Sequence, residues 1–547
     1  MDRKTLLAFL LIAVIILLTP AYYNIVFPPP EADEADSSGI GPVDTLLVDD
    51  SYYQKPVESA VESVFEEKEF IVENDLYLAT VSSINGGSIK SFKLKKYPHH
   101  LGGNVELINE RNRNNLLVSY RNIEGNNVVL NNAWEPINTF SPGFINSKTD
   151  LSFRKLNNDV YIYKTLTFEP ENYTIDVKTD LSPIKPNLSQ GYYSLSWSGG
   201  MPITEKNKTD DLGYINGYIY QGGETHSPDI SDMESPNVDR IKGETLWAAV
   251  RTKYFVSALI PNRPCVGGKA SAFTAHEEEK IYNVSLTLSA ESASTLLYLG
   301  PLEYHRIKHL GVGLDSIMNF GWSFIRPISK GVHFLLIKMN NYIPNYGVIL
   351  IIFSLLVKIL VYPLTKKSYE STQKMQAIQP ELNALKEKYK NDQQKFSQAQ
   401  ISLFKERGVN PLGGCFPILL QMPLLFALFQ VFRSTIELRG APFVLWIKDL
   451  SAPDAIINLP FHIPVYGGHI AVLPILMGVT MFIQQKMMPT QASGQQKFMS
   501  YFMTGFFTLL FNNFPSGLNL YYTLFNVLTI VQQKFFTPAP SMPSPTR

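Results

Sequence analysis

The run Tyr346-Gly-Val-Ile-Leu-Ile-Ile-Phe-Ser-Leu-Leu-Val-Lys358-Ile-Leu-Val-Tyr-Pro-Leu364 sets the strongest limit on what this chain can become. It is long and apolar enough to lie in hydrocarbon, where backbone polar groups must be bonded internally, so it has to be a helix. One cation, Lys358, sits inside it. A charge at that depth costs about 2.5–3.5 kcal/mol on insertion scales and by default marks a wet, functional interior. Ser354 and Tyr362 stand four residues to either side, so the polar groups share one helix face. On this helix alone, a lysine snorkelling to the nearer headgroups is the competing reading.

With 547 residues the chain exceeds one core, and two or more domains are expected. A formal net charge of zero argues against a protein that coats nucleic acid, and no direct nucleic-acid partner is expected. Apolar residues concentrate after about residue 320. Cys265 and Cys415 lie in regions of different character, so neither a disulfide nor a thiol–metal site is expected.

Residues 1–27 begin with Arg3 and Lys4, continue through an apolar run from Leu6 to Leu18, and lack a clear small-x-small cleavage site. They read as an uncleaved signal anchor, with a cleaved signal peptide as the alternative. Residues 28–60 have linker composition. Five further spans are expected at residues 344–365, 412–436, 465–486, 498–512 and 515–536, the fourth of them short. The connection 366–411 carries Lys366, Lys367, Lys374, Lys386, Lys388, Lys390, Lys395, Lys405 and Arg407, and the connection 487–497 adds Lys497. The turn Asn512-Asn-Phe-Pro-Ser-Gly517 has no charge, and the loop 437–464 is nearly balanced. Alternation of basic and non-basic connections places both termini in the cytoplasm and exports residues 61–318.

The exported region alternates apolar and polar residues in short segments such as Tyr161-Ile-Tyr-Lys-Thr-Leu-Thr-Phe168 and Tyr173-Thr-Ile-Asp-Val-Lys-Thr179, with turn residues between them. It reads as a large antiparallel β-sandwich. Residues 319–343 repeat apolar positions at three and four, with Trp322 and a cationic edge. A helix lying in the membrane interface and a core helix of the β-domain both fit that pattern. Residues 366–411 read as a charged helical hairpin broken at Lys390-Asn-Asp392, and the 537–547 tail is short and almost uncharged.

The spans repeat the polar stripe of the Lys358 helix. Asn519, Tyr522, Asn526, Thr529 and Gln533 follow at steps of three and four; Thr504, Thr508 and Asn512 at fours; Thr480 and Gln484 likewise; and Gln421 stands beside Met422 and Pro423. Any one stripe is explained as interhelical glue. Several stripes and a cation together indicate a hydrated cavity that opens toward the cytoplasm. No nucleotide loop, zinc helix or nucleophile elbow is present, and no catalytic residue, cofactor or metal is expected.

The segments Asn410-Pro-Leu-Gly-Gly-Cys-Phe-Pro-Ile-Leu-Leu-Gln-Met-Pro423, Ala441-Pro-Phe-Val-Leu-Trp-Ile-Lys-Asp-Leu450, Leu473-Pro-Ile-Leu-Met-Gly-Val-Thr-Met481 and Phe514-Pro-Ser-Gly517 resemble the YidC/Oxa/Alb family of membrane protein insertases, in its Gram-negative form. The resemblance implies a polytopic α-helical inner-membrane protein: six transmembrane helices, five of them forming the insertase core, and a large periplasmic all-β sandwich domain. It implies an insertase and chaperone, not an enzyme, whose groove opens to cytoplasm and lipid. Nascent membrane proteins, the Sec translocon, membrane lipid and, through the cytoplasmic hairpin and loops, the ribosome are the implied partners. The family usually carries arginine where Lys358 stands, and the short tail offers no basic arm for a ribosome.

The expected groove comprises Lys358, Ser354, Tyr362, Gln421, Thr508, Asn519, Tyr522 and Asn526, with Met422, Pro423 and Tyr521 on the side facing lipid. Two other classes compete: a small-solute transporter using Lys358 as its binding charge, and an envelope sensor or scaffold whose β-domain binds a ligand.

Overall fold

The computed structural model describes residues 65–138, 143–157, 159–228, 237–274, 280–291, 293–390, 392–409, 416–463, 466–487 and 494–535. The expected N-terminal anchor and linker, Cys415 and the tail lie outside them.

Alternation in the first half of the chain becomes two sheets around a shared core. In the smaller sheet, Glu69–Glu73 lies between Tyr77–Ser82, paired antiparallel, and Gly143–Phe144, paired parallel. In the larger, fourteen-stranded sheet, Val160–Phe168 is flanked by Thr149–Asn157 and Thr174–Asp180, with Leu166 opposite Leu151 and Val177. Ile162, Leu166 and Phe168 point into the core, as a two-residue period requires. Every residue of Phe255–Pro261 is buried. Trp134, Trp197 and Trp247 fill the interior.

The same period places Lys164 on the inner face, fully buried. Its ammonium donates to the carbonyls of Asn85 (2.9 Å) and Leu116 (2.6 Å), both residues of positive φ. The side chain thereby ties together two turns whose carbonyls would otherwise lack donors.

Ten helices are used below: α1 (Lys208–Leu212), α2 (Tyr304–His309), α3 (Arg326–Asn340), α4 (Tyr346–Ala377), α5 (Gln379–Lys388), α6 (Gln393–Glu406), α7 (Phe416–Ser434), α8 (Val472–Met487), α9 (Gly494–Phe511) and α10 (Ser516–Phe535). The first lies within the β-domain. Helix α3 packs Val332, His333 and Leu336 against α7, α4 and the rings of Tyr304 and Phe320. Its other side leaves Phe334 exposed, and Trp322 and Phe324 just ahead of it are 64% and 66% exposed. The apolar faces of α3, α4 and α7–α10 make a second core around Phe353, Phe432, Leu473, Phe511 and Tyr521.

Several boundaries differ from expectation: α3 starts at Arg326 instead of residue 319, and α9 at Gly494 instead of residue 498. Helix α4 runs 32 residues, three turns past Thr365, because Pro363 leaves the helix intact and the next break is at Ile378, before Pro380. Helix α8 starts at Val472, not at residue 465. The preceding residues pair as a hairpin, Ala455–Ile463 with Gly467–Ala471, held by the Asn512 amide on the Tyr466 and His469 carbonyls. Asp454 accepts the backbone amides of Val472 and Leu473, which start the helix there. The charged hairpin α5–α6 is closed by Arg407 on Glu381 at 2.9 Å. Among the described residues, Tyr346–Pro363 is the one window long and apolar enough to cross a membrane; Val472–Met487 and Tyr501–Phe511 are shorter apolar helices.

Candidate functional site

Three helices, α4, α8 and α10, bring their polar stripes together. The rule behind each contact is local. A threonine inside a helix donates its hydroxyl hydrogen to a carbonyl one turn back, and its oxygen is left only to accept. Thr529 donates to the Phe525 carbonyl (2.7 Å), Thr480 to Met477 (2.8 Å), and Thr365 to Val361 (3.1 Å) and Tyr362 (3.0 Å). Each oxygen then receives a donor from a neighbouring helix. Lys358 Nζ donates to Thr529 Oγ1 at 2.7 Å, Asn526 Nδ2 to Thr480 Oγ1 at 3.3 Å, and Gln532 Nε2 to Thr365 Oγ1 at 3.4 Å.

Lys358 is only 7% exposed. Its ammonium lies 4.7 Å from the centre of the Phe525 ring, a face that attracts a cation without neutralising it. Among the described residues no carboxylate pairs with it. An ammonium carries three donors, and one hydroxyl and one ring leave it short of its capacity. The site can therefore take a carboxylate, a backbone carbonyl or water as a further partner.

The other expected residues divide into two groups. Asn526 and Tyr522 lie on the same helix as Thr529, and the Tyr522 and Tyr521 hydroxyls are buried with no acceptor among the described residues. Ser354 is buried and donates to its own helix at Leu350 (2.7 Å). Tyr362 is half-buried one turn beyond Lys358. Elsewhere, Asn519 closes the turn between α9 and α10 by donating to the carbonyls of Phe511 (3.1 Å) and Phe514 (3.3 Å). It stands about 15 Å along the helix from Thr529. Tyr521 is packed against Phe353, Tyr522 and Phe525, inside the core instead of at its surface. Thr508 faces Gly478 of α8. Gln421, Met422 and Pro423 are on α7, with Met422 40% exposed.

Thr365, Thr480, Thr529, Gln532 and the pair Gln485–Thr504 also make polar contacts between helices. Thr529 and Thr480 stand in the stripes already legible in the sequence, and Thr365 lies seven residues past Lys358 on the same face. Gln532 carries no local signal.

A β-rich domain joined to a helical core that buries Lys358 between polar stripes is the architecture of a membrane protein with a large extramembrane domain. Residues 69–333 match the family described as the YidC periplasmic domain, and residues 338–541 match the 60Kd inner membrane protein family. The chain is 40% identical over 495 residues to the membrane protein insertase YidC of Chlorobium limicola, covering 86% of this chain and 82% of that relative. It is 37% identical over 567 residues to that of Chloroherpeton thalassium, covering 97% and 95%. A crystal structure described as an active YidC insertase with its first transmembrane domain resolved aligns at TM-score 0.37 and 20% identity, over 88% of this chain and 96% of that one. The chain belongs to the YidC family of membrane protein insertases. It is an inner-membrane protein with a periplasmic β-rich domain and a helical insertase core.

Proposed function

We propose that this insertase works by drawing the polar flank of a nascent membrane protein into the notch around Lys358 while the apolar segment leaves sideways into lipid. The observation that carries the reading is the buried ammonium held by the neutral Thr529 hydroxyl, with no carboxylate partner among the described residues. An acidic or polar substrate segment supplies the missing partner for a short time, and the cost of carrying that segment through hydrocarbon falls. Asn526, Tyr522, Tyr362, Gln421 and Thr508 keep the path wet, and Met422 and Pro423 edge the exit to lipid. Ser354, Asn519 and Tyr521 support the surrounding helices.

In this reading the chain has six spans, both termini cytoplasmic, and α5–α6 as the cytoplasmic receiver of substrate. It works alone or beside the Sec translocon, and the ribosome meets the hairpin and loops. Positive charge is what the notch needs, so lysine serves where the family usually carries arginine, without arginine's bidentate fork. Insertion of a single-span substrate into vesicles tests this. Lys358→Arg retains insertion, and Lys358→Ala or Lys358→Glu impairs it. Normal insertion by Lys358→Glu rejects the role.

A further inference from the structure

A cleft of about 410 Å³ lies where the β-domain meets α7 and the start of α3. Three arginines line it, Arg251, Arg326 and Arg433, and no carboxylate does. Arg251 is buried, and its guanidinium is bonded to the neutral carbonyls of Thr252 (2.9 Å), Lys253 (3.1 Å) and Ile317. Those contacts take three of its five N–H hydrogens and leave its charge without a carboxylate bonded to it among the described residues. Beside the cleft, Asp210 is shared by Arg433 and Lys253, and the buried Asp211 carboxylate accepts the backbone amides of Thr204 and Lys253. Four cations thus face two carboxylates, both already engaged. Arg326, the exposed one, has no ion pair among the described residues.

The depth of the cleft follows from its floor. Phe429, Gln430 and Arg433 belong to the last turns of a membrane helix. Trp322 and Phe324, stacked at 5.9 Å, are exposed beside it, and the Trp322 ring lies 5.7 Å from Phe426. Tryptophan of this kind sits at the level of lipid headgroups. Arginines at that level recognise phosphate oxygens through paired hydrogen bonds.

We infer that this cleft binds the phosphate of an anionic lipid headgroup from the periplasmic leaflet, with Arg326 as its mobile contact and Arg251 and Arg433 as the fixed field. Bound lipid would lie against the β-domain, α3 and α7 together, and tie the three to the membrane surface.

The test uses the full-length protein in detergent, titrated separately with dioleoylphosphatidylglycerol, dioleoylphosphatidylcholine and inorganic phosphate. Bound lipid is read by native mass spectrometry and phosphate by the thermal midpoint. The expected result is one retained phosphatidylglycerol, held about tenfold more tightly than phosphatidylcholine, as one charge-assisted contact allows. Arg326→Gln reduces it to the phosphatidylcholine level, and Arg326→Lys keeps most of the preference. Stabilisation by phosphate alone that Arg326→Gln abolishes supports the same anion chemistry filled from solution. Equal retention of the two lipids, or a preference unchanged in Arg326→Gln, overturns the proposal.

Discussion

Arg433, in the last turn of α7, and Asp210, in the short helix α1 of the β-domain, are joined by a charge pair across 223 positions of sequence, with Nε 3.1 Å from Oδ1. Lys253 holds the other oxygen at 2.7 Å. A second point lies nearby, where Arg439 donates to Glu205 (2.8 Å) and to the Pro98 carbonyl (2.9 Å). The periplasmic domain is therefore clamped to the membrane core by buried or half-buried pairs, not merely tethered by chain.

Breaking that clamp should loosen the domain and spare the notch. Burial raises the Asp210 pKa, but Lys253 and Arg433 outweigh it and hold the carboxyl below its usual range. A depressed carboxyl stabilises above its unfolded value and loses that stabilisation as pH falls through the folded one. The clamp thus holds at neutral pH and fails only in acid below the ordinary aspartate value of ~3.9. Asp210→Asn with Arg439→Gln is expected to cost about 2–4 kcal/mol of docking, near the lower end for buried pairs that lose a partner. Hydrogen exchange over residues 203–214 should rise while insertion of a single-span substrate persists. Unchanged exchange in the double variant would show that the clamp contributes nothing.

Lys164 should give the β-domain a pH dependence of its own. Burial lowers its pKa to about 7, against an ordinary value of ~10.4. Below about 7 the folded and unfolded forms are both protonated and the group adds no slope. Between about 7 and ~10.4 the unfolded chain binds more protons, so stability rises with pH. Lys164→Met should flatten that rise and also destabilise the domain, since the Asn85 and Leu116 carbonyls lose their donor. Thermal melts of the full chain, followed by tryptophan fluorescence at about pH 6.5 and about pH 9.5, check this. The same slope with and without Lys164 sinks it.

The hairpin formed by Tyr161–Phe168 and Tyr173–Thr179 was legible because alternation and turn residues are local properties. Lys164 sits on the inner register of that alternation, yet the partners that make its burial tolerable are turns about 50 and 80 residues away. The polar stripe of α10 was equally plain, and Thr529 stood in it, but helical spacing cannot say which neighbouring helix faces a stripe. Gln533 continued the stripe by fours from Thr529, whereas it is Gln532, a step of three, that reaches Thr365. The loop 437–464 reads as nearly balanced in charge within itself, but Arg433 just before it and Arg439 in it are not paired there. Their partners are Asp210 and Glu205, and Asp454 instead starts α8. Such pairs are set by tertiary approach, for which one sequence holds no period.

Thr529 and Lys358 should behave as one unit. With its hydrogen spent on the Phe525 carbonyl, Thr529 serves the ammonium only as an acceptor. Thr529→Val keeps the shape and removes that acceptor, leaving the cation on the Phe525 ring alone. A hydrogen bond to a charged group is worth about 1.5–3 kcal/mol, so Thr529→Val should slow insertion by roughly tenfold or more, and Thr529→Ser should restore it. Lys358→Ala should be more severe, and the double variant no worse than Lys358→Ala. Fully additive losses would mean that the two residues act separately.

Gly478 and Thr508 fix how closely α8 can approach α9. A Cβ built at Gly478 would fall 2.3 Å from Thr508 Oγ1, nearer than a carbon tolerates, and 3.1 Å from its Cγ2, a tight contact. The absence of a side chain lets the helices touch, the usual role of small residues between membrane helices. The close approach also brings Gln485 to Thr504, farther along the same pair. Gly478→Ala should therefore push the helices apart at a cost of about 1–3 kcal/mol, typical of overpacking. Thr508→Ala removes the two offending atoms and should recover most of that loss. The cycle of single and double variants, read as thermal midpoints in detergent, should show coupling of about 1 kcal/mol or more. If Gly478→Ala is harmless, or Thr508→Ala does not relieve it, the contact does not set the spacing.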